Sequence, residues 1–513
     1  MSEPLERGDD MGSRRVLWTA GMEDDGRSFV TSSWLFARAL GAVLSVAFLS
    51  LGAQAQGLFG SHGVASIASF VESAKRAGHH FGQHPTVFWW SASDATITAC
   101  WVIGLLAGLA LAFGLLPKLA LAISWFAYLS FVSVGWPFMS FQWDTLLLEV
   151  SFTALFFVPW RRLDRLKSHP APHPLARWAL WWLLFRLVFR SAYVKLASGD
   201  PSWADLSALT FHYWTQPLPT VLGWYANLLP AWFQKISCLA MFVVEFGAPF
   251  LIWVPRPWGR RTAAASITLL MSAIALTGNY GFFNLLTIVL CIPLLDDRLL
   301  GRFALLRVES TPASAASVSP LPWAGLAPAL TIAISAAVFF AGTFGAGPPR
   351  WLGPVYPYST FNNYGLFAVM TTERREIEIE GTVDGENWIP YVFAYKPGAP
   401  ERRPVTVAPH QPRLDWQMWF ASLGDYRRNP WLASLMRGLL ADEPTVTGLL
   451  GANPFDAEPP KQVRALIYRY APTTASELSE TGLWWTRDER ALYAPILGVP
   501  VEEQVTPVPP SPQ

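Results

Sequence analysis

From Trp34 onward, long apolar runs alternate with short polar breaks, and each run approaches the length a helix needs to cross a hydrocarbon core. About nine such spans are predicted. The first is Trp34–Leu51. Ala95–Leu116 and Leu119–Met139 form a tight hairpin around Pro117-Lys118. Gln142–Trp160, Trp178–Ala197 and Ile236–Val254 follow. Thr262–Thr277 and Phe282–Leu295 are shorter and are joined by Gly278-Asn279-Tyr280-Gly281. The last is Trp323–Phe344. The first 30 residues are polar and acidic, so the first run reads as an uncleaved span rather than a signal peptide.

The pattern changes after residue 346. Glu376-Ile377-Glu378-Ile379-Glu380 alternates with period two, Asp384-Gly385 makes a turn, and Trp388–Tyr395 extends again, which predicts a β-hairpin. Leu414–Leu423 reads as an amphipathic helix, Trp431–Leu440 as a second helix, and Val463–Tyr470 as a strand. Glu309–Pro322, rich in Ser, Ala and Pro, reads as a linker. The predicted fold is therefore an all-α polytopic membrane bundle over residues 34–345. A polar tail over 1–33 precedes it, and an exported, sheet-containing α+β domain over 346–513 follows it.

Basic residues set the expected orientation. Arg161, Arg162, Arg165 and Lys167 follow the fourth span; Arg256, Arg260 and Arg261 follow the sixth; Arg298, Arg302 and Arg307 follow the eighth. The loop Ser198–Gln234 carries Asp200 and Asp205 but no Lys or Arg. The basic ends belong in the cytoplasm with the N-terminus and its Arg14 and Arg15. Nine crossings then leave the C-terminal domain outside, in the periplasm or the secretory lumen.

Composition supports a membrane protein: 15% of residues are charged, where soluble domains hold nearer 25%. The net charge of +1 gives no field to attract nucleic acid. Many of the 26 Trp lie at run ends, as in an interfacial aromatic belt. Cys100, Cys238 and Cys291 all fall inside apolar runs and read as small buried hydrophobes.

Four ionisable residues interrupt the apolar runs near their midpoints: Glu149, Arg186, Arg190 and Glu245. Charges in hydrocarbon need partners or a wet cavity. Arg190 and Tyr193 share the helix face of Arg186, so one paired cluster of all four charges is expected. Two readings stay open: a pairing that fixes helix packing, or a polar pocket that binds a ligand or head group. Lys195 lies nearer the outer end and is expected to snorkel. Asp144 at the entrance of the fourth span reads as a helix cap. His212 sits in a loop dense with aromatics, read as an interfacial platform. His410 stands five residues before Asp415, close enough to pair across a turn, but no nucleophile accompanies them. His79, His80 and His84 read as a solvated loop rather than a metal site. No Walker, dinucleotide, zinc-protease or zinc-finger signature is present in the chain.

Ser140–Glu149 resembles the lipase maturation factor family, as do Leu196–Trp203, Tyr213–Pro219, Gly278–Asn284, Asn363–Arg374, Ala408–Trp419 and Asn453-Pro454-Phe455. The membrane half is also distantly similar to the horizontally transferred transmembrane domain group. The resemblance adds Asn279 and Asn284 to the outer-face candidates but implies no catalytic residue that maps by position. It implies a multi-pass protein of the endoplasmic reticulum membrane that helps secreted lipases fold, or an inner-membrane counterpart if the chain is bacterial. The leading expectation is a folding factor that needs no cofactor or metal, whose partners are the bilayer and an exported client. The alternative is a membrane-embedded enzyme or lipid-binding protein using Glu149, Arg186, Arg190 and Glu245. An ion-coupled transporter is disfavoured because no internal repeat is evident.

Overall fold

A computed structural model of the chain describes residues 29–303, 325–347 and 349–498. Most of the polar tail with Arg14 and Arg15, the linker Glu309–Pro322, Arg307, Trp323 and the chain beyond residue 498 lie outside the described residues.

Each expected span falls on a helix among the described residues. These are α1 Val30–Gly52, α2 Asp94–Phe113, α3 Pro117–Val132, α4 Gln142–Ala154, α5 Pro174–Ala197, α6 Ala231–Leu251, α7 Pro257–Thr277, α8 Phe283–Cys291 and α9 Leu326–Thr343. Among the described residues, α1, α2, α6 and α9 are long and apolar enough to cross a membrane, while α3 and the segment Phe283–Leu294 are apolar but shorter. Pro117 opens α3 at a position whose N–H no helix bond needs. Close packing is built into α1, where a Cβ on Gly41 would sit 2.4 Å from the Ala112 nitrogen of α2. Only glycine lets the two backbones approach so far. The three cysteines are free and buried, as small core residues.

The predicted fourth span is too long. α4 has 13 residues, and the chain leaves it in turns before Pro159. Glu149 therefore lies only two turns from the start of its helix.

Two ends of the bundle are defined by their contacts. At one, the backbone N–H groups of Val30 and Thr31 donate to Asp297 at 3.0 and 2.9 Å. There too Ser33 bonds His169 at 2.8 Å, Arg38 pairs with Asp164, and Arg261 pairs with Asp296. The three basic loops thus gather at one end. At the other end Ser50 and Gln54, in and just after the last turn of α1, meet the C-terminal domain. A 23-residue helix separates the two ends by about 34 Å.

The C-terminal domain is a four-stranded antiparallel sheet in the order β2-β1-β3-β4. Its strands are β1 Arg374–Thr382, β2 Ile389–Pro390, β3 Gln462–Pro472 and β4 Trp485–Gly498. The hairpin forms at Asp384-Gly385, where Gly385 has φ +83° and Asp384 accepts the N–H groups of Glu386 and Asn387. Its second strand is shorter than predicted because the chain leaves the sheet after Pro390. The period-two pattern of β1 separates two buried faces. Ile377 and Ile379 enter the core, while Glu376 and Glu380 are also covered, paired with Arg374, Lys396 and Arg464.

Helix α10, Arg413–Ser422, is buried at every position except Phe420. The expected amphipathic character fails because α10 is wedged between the sheet and the helical half. Helix α11, Pro430–Leu440, packs against β3 and β4. One apolar cluster runs from Phe36 and Leu40 in α1 through Trp143 in α4 to Trp416, Trp431 and Val463. The helical and sheet-bearing parts thus share a core.

Candidate functional site

The four charges expected within the membrane do not form one cluster. Roughly two and a half turns separate Arg186 from Lys195 on α5, so their side chains leave opposite sides of the helix. Arg186 faces α4 and Lys195 faces α6. Glu245 consequently pairs with Lys195, at 2.7 and 2.9 Å. Lys195 is 4% exposed and does not snorkel.

Glu149 and Arg186 form a buried ion pair. The C-terminal domain roofs it. Glu149 Oε2 accepts the N–H and the Nδ2 of Asn362, each at 3.0 Å, and the Tyr364 hydroxyl at 2.6 Å. Arg186 Nη1 donates to the Asn362 carbonyl at 3.1 Å. The short α4 explains this arrangement, since Glu149 lies close enough to the helix start for the Asn362–Tyr364 segment to reach it.

Arg190 finds no carboxylate among the described residues. It donates to Thr343 Oγ1 at 2.8 Å and the Gly342 carbonyl at 3.0 Å, and the Tyr193 hydroxyl donates to the Thr343 carbonyl at 2.8 Å. The two side chains satisfy the C-terminal end of α9, where open carbonyls and the helix dipole favour a cation.

Asp144 is not a simple cap. Its carboxylate receives both arms of Arg413, at 2.8 and 2.9 Å, and bonds the Tyr128 hydroxyl. Arg413 Nη1 also donates to the Phe138 carbonyl at 2.6 Å. All three side chains are essentially inaccessible. A forked guanidinium on a carboxylate is among the stronger pairings available to buried charge.

His410 and Asp415 do not pair. His410 bonds Ser50 at 2.9 Å. Asp415 accepts the backbone N–H groups of Tyr395 and Lys396, each at 2.8 Å. Burial raises the Asp415 carboxyl above its ordinary value, and those two N–H groups oppose the rise. Asn279 bridges the parts of the chain. It donates to the carbonyls of Leu218 and Val405 at 3.2 and 2.7 Å and accepts from Val407 and Ala408 at 2.7 and 3.1 Å. Beside it, Gly281 has φ +55°, and a Cβ there would lie 2.2 Å from Gln411 Oε1. Asn279→Ala is expected to cost about 2–3 kcal/mol by stranding buried backbone groups. A thermal unfolding series on the full chain measures it. A loss within roughly 0.5 kcal/mol, the ordinary scatter of surface changes, would remove Asn279 from the joint.

A cavity of about 430 Å³ lies between α5, α6, α7 and α8. Leu187, Val188, Met241, Leu270 and Phe283 make apolar wall, and Lys195, Glu245, His212, Tyr213 and Asn284 are its polar lining. His212 bonds the Tyr280 hydroxyl at 3.1 Å, and Tyr280 donates to Gln216 at 2.9 Å. The accessible part of the His212 ring lines the cavity, and enclosure by protein, with Lys195 nearby, pushes its imidazole down to about 4. It is therefore neutral at pH 7. Among the described residues no three His, Cys, Asp or Glu side chains group as a metal site. His79 and His84 stack at the surface, 3.2 Å apart.

Sequence reasoning missed Arg413, Tyr128, Asn362, Tyr364 and the role of Lys195. Helical phase could have found Lys195, because it leaves α5 opposite Arg186. The others come from loops or distant segments, whose spatial neighbours no periodicity reveals.

Residues 31–302 match the family model described as the lipase maturation factor transmembrane domain, and residues 360–495 match the lipase maturation factor C-terminal domain. The chain is 34% identical to lipase maturation factor 2 of Homo sapiens over 88% of its own length and 80% of the relative's. It is 32% identical to that of Gallus gallus, over 91% and 81% of the two chains. It is 30% identical to lipase maturation factor 1 of Bos taurus, over 96% and 92%. No solved structure matches. The two models meet the two parts that Asp144–Arg413 and Glu149–Asn362 hold together, and on that evidence the chain belongs to the lipase maturation factor family.

Proposed function

We propose that the chain is a membrane-embedded maturation factor that presents a fixed outer platform to exported proteins while they fold. The clients in mind are lipases, because its relatives carry that name. In this reading α1–α9 all cross the bilayer, the shorter helices leaning on their neighbours. The end bearing the three basic loops faces the cytoplasm. The domain from 346 to 513 faces the lumen of the endoplasmic reticulum, or the periplasm in a bacterium.

The carrying observation is the number of donors on the two buried carboxylates at the joint. Glu149 has four donors, from Arg186, Asn362 and Tyr364, and Asp144 has three, from Arg413 and Tyr128. Carboxylates held in this way are poorly placed to exchange protons with a substrate, and well placed to hold a domain rigidly on the bundle. Leu222, Tyr225, Leu229, Trp232 and Phe233 remain exposed around the outer end of α6. An apolar rim of this kind suits contact with lipid, with a partly folded client, or with both.

The test is co-expression of the full chain with an exported lipase. Secreted lipase activity per molecule synthesised should rise, and the chain should co-purify with the unfolded rather than the mature enzyme. No rise with several exported lipases, at confirmed abundance of the chain, would remove the role. A glycosylation acceptor inserted at Gly385 should be modified in a eukaryotic host, and its failure to react would reverse the orientation.

A further inference from the structure

The 430 Å³ cavity between α5, α6, α7 and α8 is also lined by Leu366 and Phe367 of the C-terminal part, but it holds neither of the ion pairs, Glu149–Arg186 and Asp144–Arg413, at the joint between the two halves. Its volume falls within the range of small-molecule sites, about 300–1,000 Å³. Its exposed lining residues, Leu229, Phe233 and Ala273, flank the start of α6 and the end of α7, so the mouth opens sideways there. The walls are mainly apolar, with a few polar groups among them.

Those polar groups specify the ligand. Lys195 and Glu245 neutralise each other at 2.7 Å. Asn284 is 4% exposed, lines the cavity, and its side-chain amide makes no hydrogen bond among the described residues. A buried amide without partners costs about 1–3 kcal/mol, and such groups call for an occupant or an ordered water. The amide offers both a donor and an acceptor. A net-neutral lining with that pair suits a neutral head carrying hydroxyl and carbonyl groups. An anionic head would meet Glu245, and a cationic one Lys195.

We propose that this cavity binds a neutral single-chain lipid of the monoacylglycerol type, entering from the bilayer between α6 and α7, with its hydroxyl and ester groups at Asn284 and its chain along the apolar wall. The site stands apart from the maturation role, since lipid occupancy can be read with no client present.

The experiment uses the purified full chain in nanodiscs and a monoacylglycerol carrying a diazirine in its chain and a terminal alkyne. Labelling should saturate, map to peptides of α5–α8, and be displaced by unlabelled monoacylglycerol but not by phosphatidylserine. Asn284→Leu should reduce labelling about tenfold, as expected for loss of the hydrogen bonds to the head. The same variant should keep or raise the melting temperature, because it removes an unpaired polar group. Ala273→Phe, at the mouth, should reduce labelling without touching the polar lining. Labelling that is unsaturable, or equal in both variants and the parent chain, overturns the proposal. Displacement by an apolar client peptide but not by monoacylglycerol overturns it too, and would assign the cavity to protein recognition.

Discussion

Asp144→Leu is expected to leave almost no folded protein. The change strands Arg413, which stays charged at any accessible pH and is enclosed by α3, α4 and α10. Breaking a buried pair from one side costs about 3–5 kcal/mol, which is a large part of the 5–15 kcal/mol typical of a whole domain. Arg413→Leu should be similarly severe, because Asp144 then keeps only the Tyr128 hydroxyl. The double variant Asp144→Leu/Arg413→Leu should recover most of the loss, because apolar groups can replace a buried pair with little penalty. Monodisperse yield from the membrane and melting temperature together measure the three variants. Full yield from either single variant would mean that the pair does not hold the two halves together.

Glu149 and Arg186 should respond unequally. Glu149→Leu leaves a guanidinium whose one hydrogen-bond acceptor among the described residues is the Asn362 carbonyl, and it cannot discharge. Arg186→Leu leaves a carboxylate that still has two donors on Asn362 and one on Tyr364, and that can take up a proton. The first change should cost about 3–5 kcal/mol and the second about 1–3 kcal/mol. Client maturation should fall in step with the abundance of each variant. Arg186→Leu that is fully abundant yet inactive would contradict the structural role and point to a ligand at this pair.

The sequence made the helices legible because lipid imposes one strong rule: a spanning segment must be apolar and about twenty residues long. All nine expected spans lie on helices, of which α1, α2, α6 and α9 are long and apolar enough to cross a membrane among the described residues, and the sheet-bearing domain follows where the pattern shifts from runs to alternation. What it hid was pairing. Midpoint depth suggested one cluster, but the phase of α5 sends Arg186 and Lys195 to different neighbours. The length of α4 was hidden as well, because Leu155–Val158 is as apolar as the helix before it. Partners such as Arg413 and Asn362 lie more than two hundred residues from the acids they meet. No local rule connects residues so far apart, and the cavity, lined from four helices and from segments outside them, leaves no linear trace at all.

The distance between Asp144 and Arg413 has a consequence for the order in which the molecule is made. The acid precedes its partner by 269 residues, so at about 5–20 residues per second a ribosome delivers the base roughly 13–54 s later. Throughout that interval Asp144 has the Tyr128 hydroxyl but lacks the guanidinium that neutralises it. Chains halted before the arginine emerges should therefore remain recognisable as unfinished, and degradation can select them on that ground alone.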